Sequence, residues 1–170
     1  MENELRPFWN IAMGSQTSRW VLYNIAVCFA IYWTGNIILW YPWSVNANLG
    51  IAMMLTIMPL FWGLGIYLCL IHYNGKTILV GSALTALTML ISSVILDYIF
   101  FGLIRGALND LYKPTTFYGY GFLTLLPFIE LFLFKKIILK KKRNILAKDF
   151  VPIGIAGLTS LIIQIIIVIN

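Results

Sequence analysis

The chain has 170 residues, of which 61% are hydrophobic and only 11% are charged, and its formal net charge is +6. A soluble domain has about 45–50% apolar and about 25% charged residues, so a chain of this length has too little polar surface to cover its apolar side chains. The composition excludes a soluble enzyme, a nucleic-acid-binding protein and a disordered chain. It predicts an all-α integral membrane protein.

Five apolar runs are long enough to cross a bilayer, which takes about 20 mostly apolar residues in a helix. The runs are 20–40, 49–71, 78–103, 116–139 and 150–169. They predict a bundle of five transmembrane helices in one membrane domain, 20–170, preceded by a cytoplasmic interfacial segment, 1–19. Because the last run is short and bounded by Pro152, a bundle of four helices is the alternative.

Lysine and arginine are distributed unevenly between the loops. With the N-terminus in the cytoplasm, ten of the twelve basic residues fall on the inner side, and only Arg105 and Lys113 fall on the outer side. Cytoplasmic loops are enriched in these residues, so we predict a multi-pass protein with its N-terminus inside. The absence of an N-x-[ST] sequon fits a bacterial cytoplasmic membrane.

Two short segments resemble each other, Leu55–Pro59 (LTIMP) and Leu123–Pro127 (LTLLP), 68 residues apart. Both lie in runs that pass from outside to inside. They are compatible with a parallel repeat of two-helix units, and coincidence in apolar sequence is the alternative. Because each proline removes a backbone donor and clashes one turn back, we expect a kink or a local irregularity at Pro59 and at Pro127.

Asp97 and Glu130 are the two acidic residues within the runs. An ionisable side chain there costs about 2.5–3.5 kcal/mol on insertion scales, which makes both candidates for a functional role. At about 1.5 Å per residue, Asp97 lies near the outer face and Glu130 near the inner face, roughly 20 Å apart along the membrane normal. We therefore do not expect them to share a proton or a metal ion.

Each acid has polar residues at its own depth. An outer cluster groups Asp97 with Asn36, Tyr118 and Tyr120, and an inner cluster groups Glu130 with Tyr23, Asn24, Tyr67, Ser82 and Thr85. Together they resemble the lining of a polar pathway, for which the candidate ligand-binding residues are Glu130, Asp97, Asn24, Asn36, Tyr67 and Tyr120. The alternatives are that Asp97 faces water at the headgroup level, and that Glu130 forms a buried hydrogen bond or pairs with Lys135 or Lys136.

Seven of the twelve basic residues lie between positions 135 and 148. They are expected to bind anionic lipid headgroups at the cytoplasmic face, at about 1 kcal/mol per charge. The expected contacts are Lys135, Lys136, Lys140, Lys141, Lys142 and Arg143. Control of topology alone is the alternative. The lone histidine, His72, is expected at the surface of an inner loop, and Cys28 and Cys69 are expected to be buried hydrophobic residues.

The chain lacks an H-E-x-x-H motif, a G-x-S-x-G motif, a phosphate-binding glycine loop and a second histidine. We therefore expect no metal and no cofactor, and the sequence favours a protein that is not an enzyme. We predict a protein of transport or channel type, with Glu130 and Asp97 on its pathway. Thin helices enclose no wide pore alone, so self-association or another membrane subunit is expected, besides the lipid bilayer. The alternatives are a non-catalytic structural or accessory subunit, and a lipid-active enzyme.

Overall fold

The computed structural model describes residues 16–169, which are helical and contain no strand. Five long helices follow one another along the chain: α1 (Gln16–Val45), α2 (Ala47–Ile71), α3 (Ile78–Asp97), α4 (Pro114–Lys140) and α5 (Ala147–Ile169). Seven π-helical residues, Tyr98–Ile104, extend α3, and a short 3-10 helix, Leu108–Tyr112, precedes α4. The predicted interfacial segment, 1–19, lies almost entirely outside the described residues. The all-α prediction is confirmed.

Four of the described helices are long and apolar enough to cross a membrane. They are α1, α2, α3 with its π-helical extension, and α5 up to Val168. These four indicate a multi-pass membrane protein, because a helix satisfies nearly all of its backbone groups internally. Helix α4 has 27 residues and is not among the four. It differs from them in carrying Glu130 near its middle and three lysines in its last turns.

The helices pack as a ring of four with the fifth outside. Around the ring, α1 contacts α2, α2 contacts α4, α4 contacts α3, and α3 returns to α1, whereas α5 packs mainly on α1. Close approach of α1 and α2 depends on Gly65, because a Cβ there would lie 3.0 Å from Val27. Only 17% of the apolar stretch of α5 is buried, against 50% for α1. Most of the apolar stretch of α5 is therefore exposed on the outside of the bundle.

Both prolines lie within uninterrupted α-helix, Pro59 in α2 and Pro127 in α4. In each helix the threonine three positions earlier donates its hydroxyl to a carbonyl oxygen one turn back, at 2.7 Å from Thr56 and 2.8 Å from Thr124. The α-helix is not interrupted at either proline, whereas seven π-helical residues extend α3. Such turns are local widenings of a helix and are frequent at functional sites.

The loops divide between two ends of the bundle. Loops 72–77 and 141–146 lie together at one end, called the polybasic end, where the Arg143 backbone N–H donates to the Ile71 carbonyl oxygen at 2.9 Å. The last turn of α1 and the segment 105–113 lie at the opposite end, where residues of both line one cavity. Successive helices therefore alternate in direction between these two ends.

Candidate functional site

A cavity of about 760 Å³ opens inside the four-helix ring at the end opposite the polybasic loops. Its volume lies within the range of about 300–1,000 Å³ that is typical of small-molecule sites. All four ring helices and the π-helical turns contribute to its wall, and nine of the 26 residues that line it are aromatic. The aromatic lining includes Trp40, Trp43, Trp62, Phe100, Phe101 and Tyr120. The cavity is thus an apolar chamber with a small number of polar groups.

Asp97 is the acidic side chain that the cavity reaches in the interior of the bundle. The Tyr32 hydroxyl donates to Asp97 Oδ1 and the Tyr120 hydroxyl donates to Asp97 Oδ2, both at 2.6 Å. These short charge-assisted bonds join α1, α3 and α4 at one point. No described lysine or arginine forms an ion pair with Asp97. Its carboxylate is therefore hydrogen-bonded without being neutralised by a cation.

Three charged residues lie at the mouth of the cavity and pair with one another. Lys113 Nζ is 2.8 Å from Asp110 Oδ1, and Arg105 Nη1 is 3.7 Å from Asp110 Oδ2. The hydrogen bond from Lys113, together with both nearby positive charges, holds the pKa of the Asp110 carboxyl below its ordinary value. Asp110 is thus compensated twice, in contrast to Asp97.

The Arg105 guanidinium also lies over aromatic rings of the cavity wall. Its central carbon is 5.4 Å from the Phe101 ring centroid, 5.7 Å from that of Phe100 and 5.9 Å from that of Trp40. A cation within about 6 Å of a ring face is attracted by the ring quadrupole. The ring faces at the mouth therefore already hold a positive charge that belongs to the protein.

The structure brings part of the predicted outer cluster together. Tyr120 bonds Asp97, whereas Asn36 lines the cavity and donates its Nδ2 to the Tyr32 carbonyl oxygen at 3.1 Å. Tyr118 lies on the cavity wall and is exposed. The prediction from depth missed Tyr32, although it lies one helical turn before Asn36 on the same face of α1. That spacing was the signal available in the sequence.

Glu130 lies inside the ring, and only 6% of its surface is exposed. It rests against Gly63 of α2, because a Cβ on that glycine would lie 2.7 Å from Glu130 Oε1. Glu130 Oε2 is buried without a hydrogen-bond partner among the described residues. No ion pair forms with Lys135 or Lys136, which are both exposed. Glu130 therefore occupies a shielded position for which a glycine makes room.

Two further buried polar groups lack partners within the ring. Asn24 and Thr85 are fully buried, and neither Asn24 Oδ1 nor Thr85 Oγ1 has a hydrogen-bond partner among the described residues. Cys28 Sγ lies 3.8 Å from the Met89 carbonyl oxygen. Because Asn24 and Thr85 each precede that contact by one turn, they lie at the same level on α1 and α3. We call Asn24, Thr85 and Glu130, which each have a buried oxygen atom without a partner among the described residues, the inner polar cluster.

The cavity does not reach the inner polar cluster. Its lining ends at Met58, Trp62, Ser93 and Leu123, and includes neither Glu130 nor Asn24. Tyr67, the remaining candidate of the inner group, is partly buried and packs against the apolar core. The structure therefore separates the two predicted clusters by a closed layer of side chains.

At the polybasic end, two of the six expected lipid contacts have partners within the protein. Lys142 Nζ donates to the Gly75 carbonyl oxygen at 3.1 Å, and Arg143 Nε donates to His72 Nε2 at 2.9 Å. The Asn74 side chain adds a bond to Asn144 at 2.6 Å. The other four expected contacts have exposed side chains, namely Lys135, Lys136, Lys140 and Lys141.

His72 is not the surface residue that its loop position predicts, since only 1% of it is exposed. Its ring packs on Tyr23 with centroids 4.7 Å apart, and Nδ1–H donates to the Leu68 carbonyl oxygen at 2.7 Å. Burial, reinforced by the charge of Arg143, lowers the pKa of this imidazole below its ordinary value. Because Arg143 donates to Nε2, the imidazole is held in its neutral form.

Similarity to known proteins does not indicate a function for this chain. Comparisons of the chain with models of protein families, with curated proteins and with solved structures find no match. Within residues 16–169, no group of three or more His, Cys, Asp or Glu side chains lies close enough together to hold a metal ion. The function is therefore inferred from the cavity, its charges and its aromatic lining.

Proposed function

We propose that this is a small membrane protein of transport or channel type, whose cavity admits a solute from one side of the membrane. The observation that carries the proposal is the cavity of about 760 Å³ that reaches Asp97 inside the bundle and is closed beneath it. An acidic side chain within a membrane segment is costly, and such residues commonly mark solute or ion paths. An open vestibule above a closed layer is the arrangement expected of one state of a transport cycle.

In this proposal all five helices cross the membrane and the N-terminus is cytoplasmic. Helix α4 has 27 residues, which is long enough to span, and it forms one wall of the ring between α2 and α3. The polybasic end then faces the cytoplasm, as the bias in basic residues favours, and the cavity opens to the outside. A bacterial cytoplasmic membrane fits this orientation.

The inner polar cluster continues the path on the cytoplasmic side. Its three unpartnered oxygen atoms lie on three different helices of the ring, α1, α3 and α4. Buried polar atoms without partners are unfavourable, so a state in which water or solute reaches them is favoured by their hydration. The π-helical turns beside Asp97 offer a place where α3 can change its shape between states.

The protein acts in this proposal as an oligomer or within a larger membrane complex. Helix α5 packs mainly on α1 and leaves most of its apolar surface uncovered by the described chain. Either lipid or another subunit covers that surface. The exposed side chains of Lys135, Lys136, Lys140 and Lys141 at the polybasic end bind anionic lipid headgroups.

A second candidate function is a non-catalytic accessory subunit, and one observation favours it. Asp97 is hydrogen-bonded by Tyr32 and Tyr120 from two neighbouring helices, so it can serve simply to fasten α1, α3 and α4 together. In that case the closed layer below the cavity never opens, and the inner polar cluster is never exposed to water.

Cysteine accessibility separates the two functions without knowledge of the solute. In a background with Cys28→Ala and Cys69→Ala, we expect Asn36→Cys to react with a membrane-impermeant thiol reagent applied from outside. If the protein transports, Thr85→Cys reacts with the same reagent from the cytoplasmic side of inverted vesicles. Leu60→Cys is the control, since residue 60 is 76% exposed on the apolar outer surface of α2 and should face lipid.

Transport also requires that the cavity at residue 36 and the inner polar cluster at residue 85 are coupled. Blocking Asn36→Cys with a bulky reagent should change the rate at which Thr85→Cys reacts in the double variant. A Thr85→Cys side chain that is unreactive from both sides, while Asn36→Cys reacts fully, would contradict transport and support the accessory subunit.

A further inference from the structure

We propose that the cavity binds an alkylated ammonium ion, with Asp97 as its counter-charge and the aromatic wall as its cage. The proposal names the solute class for the transport function above, and it depends on that function only for the steps after binding. Arg105, which now lies over the rings at the mouth, competes with the solute cation for the same faces.

The charges that line the cavity favour a cation in its depth. Four charged residues contribute to the lining, two acidic and two basic: Asp97, Asp110, Arg105 and Lys113. Both basic groups approach Asp110, at 2.8 Å and 3.7 Å, and neither pairs with Asp97. The tyrosine hydroxyls that donate to Asp97 leave its charge in place. The uncompensated charge of the interior is therefore negative, and a cation is the ion that it attracts.

The aromatic wall selects the kind of cation. Ring faces recognise quaternary ammonium groups, which are large and weakly hydrated, in the aromatic cages of other proteins. An inorganic cation would have to exchange its hydration shell for oxygen ligands, whereas this lining is mainly apolar and includes six indole and phenyl rings. The chemistry of an uncompensated carboxylate below aromatic faces therefore fits an alkylated ammonium ion better than a metal ion or an anion.

The position of Arg105 shows that these faces accept a positive charge. Its guanidinium lies 5.4–5.9 Å from the centroids of three rings, Trp40, Phe100 and Phe101. Arg105 is exposed at the mouth and its contact with Asp110 is long, at 3.7 Å. Such a side chain can swing away at small cost, since exposed ion pairs contribute little. Its removal should therefore strengthen binding of a solute cation rather than weaken it.

The first measurement is binding of benzyltrimethylammonium to the purified protein in a maltoside detergent, followed by tryptophan fluorescence. Trp40, Trp43 and Trp62 line the cavity and report its occupancy. We expect saturable binding of this probe and none of 3,3-dimethylbutanol, which has a similar shape without the charge. Tighter binding of benzenesulfonate than of the ammonium probe would overturn the proposal in favour of an anion site.

Two variants are expected to change the ammonium affinity in opposite directions, so that loss of binding through misfolding can be recognised. Asp97→Asn keeps the shape and an acceptor for the tyrosines, and it should weaken ammonium binding at least about tenfold, equivalent to about 1.4 kcal/mol. Arg105→Gln should strengthen it roughly threefold to tenfold, which a misfolded variant cannot do. Asp149→Asn, the same change on α5 at the other end of the bundle, is the matched control and should leave the affinity unchanged. Equal affinities for wild type, Asp97→Asn and Arg105→Gln would refute the proposal.

An alkylated ammonium group can come from a free solute or from a lipid headgroup, and the membrane composition distinguishes them. In nanodiscs of phosphatidylcholine, a headgroup in the cavity would compete with the probe and lower its apparent affinity relative to phosphatidylglycerol nanodiscs. Equal affinity in both lipids identifies a free solute as the occupant. Failure of the ammonium probe alongside labelling of Thr85→Cys from the cytoplasmic side would reject this inference while leaving transport intact. Probe binding without that labelling would leave a cation site in a protein that does not transport.

Discussion

The two ends of the bundle both carry basic residues beside aromatic rings, yet they use them differently. At the polybasic end, Lys142 and Arg143 fasten one loop to another, and the ring of His72 is buried beneath them. At the opposite end, Arg105 lies exposed at the mouth of a cavity, and the helix leading to it loosens into π-helical turns. The end with more positive charge is thus the one where basic side chains fasten the loops together. In the proposed function, a high density of lysine is therefore a poor guide to the position of the solute site.

The largest effect on stability is expected from substitutions of two glycines that face aromatic rings, one at each end of the bundle. They compare how tightly the two ends are packed. A Cβ on Gly81 would lie 2.5 Å from the ring of Tyr73, which is only 8% exposed and packs edge-on against Trp20. Tyr73 cannot move aside, so Gly81→Ala should destabilise the protein by about 1–3 kcal/mol. Thermal unfolding followed by tryptophan fluorescence will show this as a lower Tm.

The matched change at the opposite end is Gly50→Ala. A Cβ there also meets an aromatic ring closely, but that ring belongs to Trp43, which is 41% exposed and can swing outward. We expect a loss below about 1 kcal/mol, since the substitution also improves helix propensity. If Gly50→Ala proves as damaging as Gly81→Ala, the opposite end is as tightly packed as the polybasic end.

A smaller effect is expected from the basic residues of the polybasic end. Arg143→Ala removes a hydrogen bond to the His72 ring and should cost about 1–2 kcal/mol of unfolding free energy. Lys141→Ala, two positions earlier on an exposed side chain, should change it by less than about 0.5 kcal/mol. The difference between their Tm values measures how far this segment holds the fold together. Equal Tm values for the two variants would indicate that Arg143 contributes to lipid binding and not to the stability of the fold.

The neutral state of His72 predicts how stability depends on pH. Because burial lowers the pKa of His72 in the fold, the unfolded chain binds a proton more readily, and stability rises with pH between the folded and unfolded values. Its contribution is complete above the unfolded value of about 6.5 and is lost as pH falls below it. We expect the Tm of wild type to fall more between pH 7.5 and pH 5 than that of His72→Asn. Parallel pH curves for the two proteins would show that His72 does not titrate on unfolding.

Labelling at the two ends tests the orientation and changes stability least. Lys141→Cys and Ala47→Cys replace exposed residues at opposite ends of the bundle. In intact cells an impermeant thiol reagent should reach Ala47→Cys and leave Lys141→Cys unmodified. Reaction of Lys141→Cys from outside would invert the orientation, and with it the side to which the cavity opens.

The helices were predicted well from the sequence, because the burial of long apolar runs is the main contribution to the free energy of inserting a helix into a membrane. Each predicted run lies within one long helix of the structure, counting the π-helical turns with α3, although only four of those helices are apolar enough to be identified as spans. The π-helical turns after Asp97 could not be predicted, since no residue type there demands them. Helix α2 continues without a break through Pro59, although the Thr56 hydroxyl donates to the Ala52 carbonyl oxygen and not to the Leu55 carbonyl oxygen, which loses its helical donor.

The candidate site was predictable in part, to the extent that depth along a helix limits which residues can meet. The estimated depth in the membrane correctly placed Tyr120 beside Asp97. Depth does not tell which way a side chain points around the helix axis, so it did not identify Tyr32 as the second partner. The error on His72 has a different origin. Its burial depends on Arg143, which is 71 positions away in the chain and could be placed beside it only by the fold.

The packing of α5 on α1 has a consequence for biosynthesis. The hydroxyls of Thr34 and Ser160 meet at 2.8 Å although 126 residues separate them, so the first described helix waits for the last to be made. At about 5–20 residues per second of synthesis, that wait is roughly 6–25 s. During this time the face of α1 that receives α5 is open to the bilayer and to the insertion machinery. Truncation before α5 should therefore prolong the association of nascent chains with that machinery.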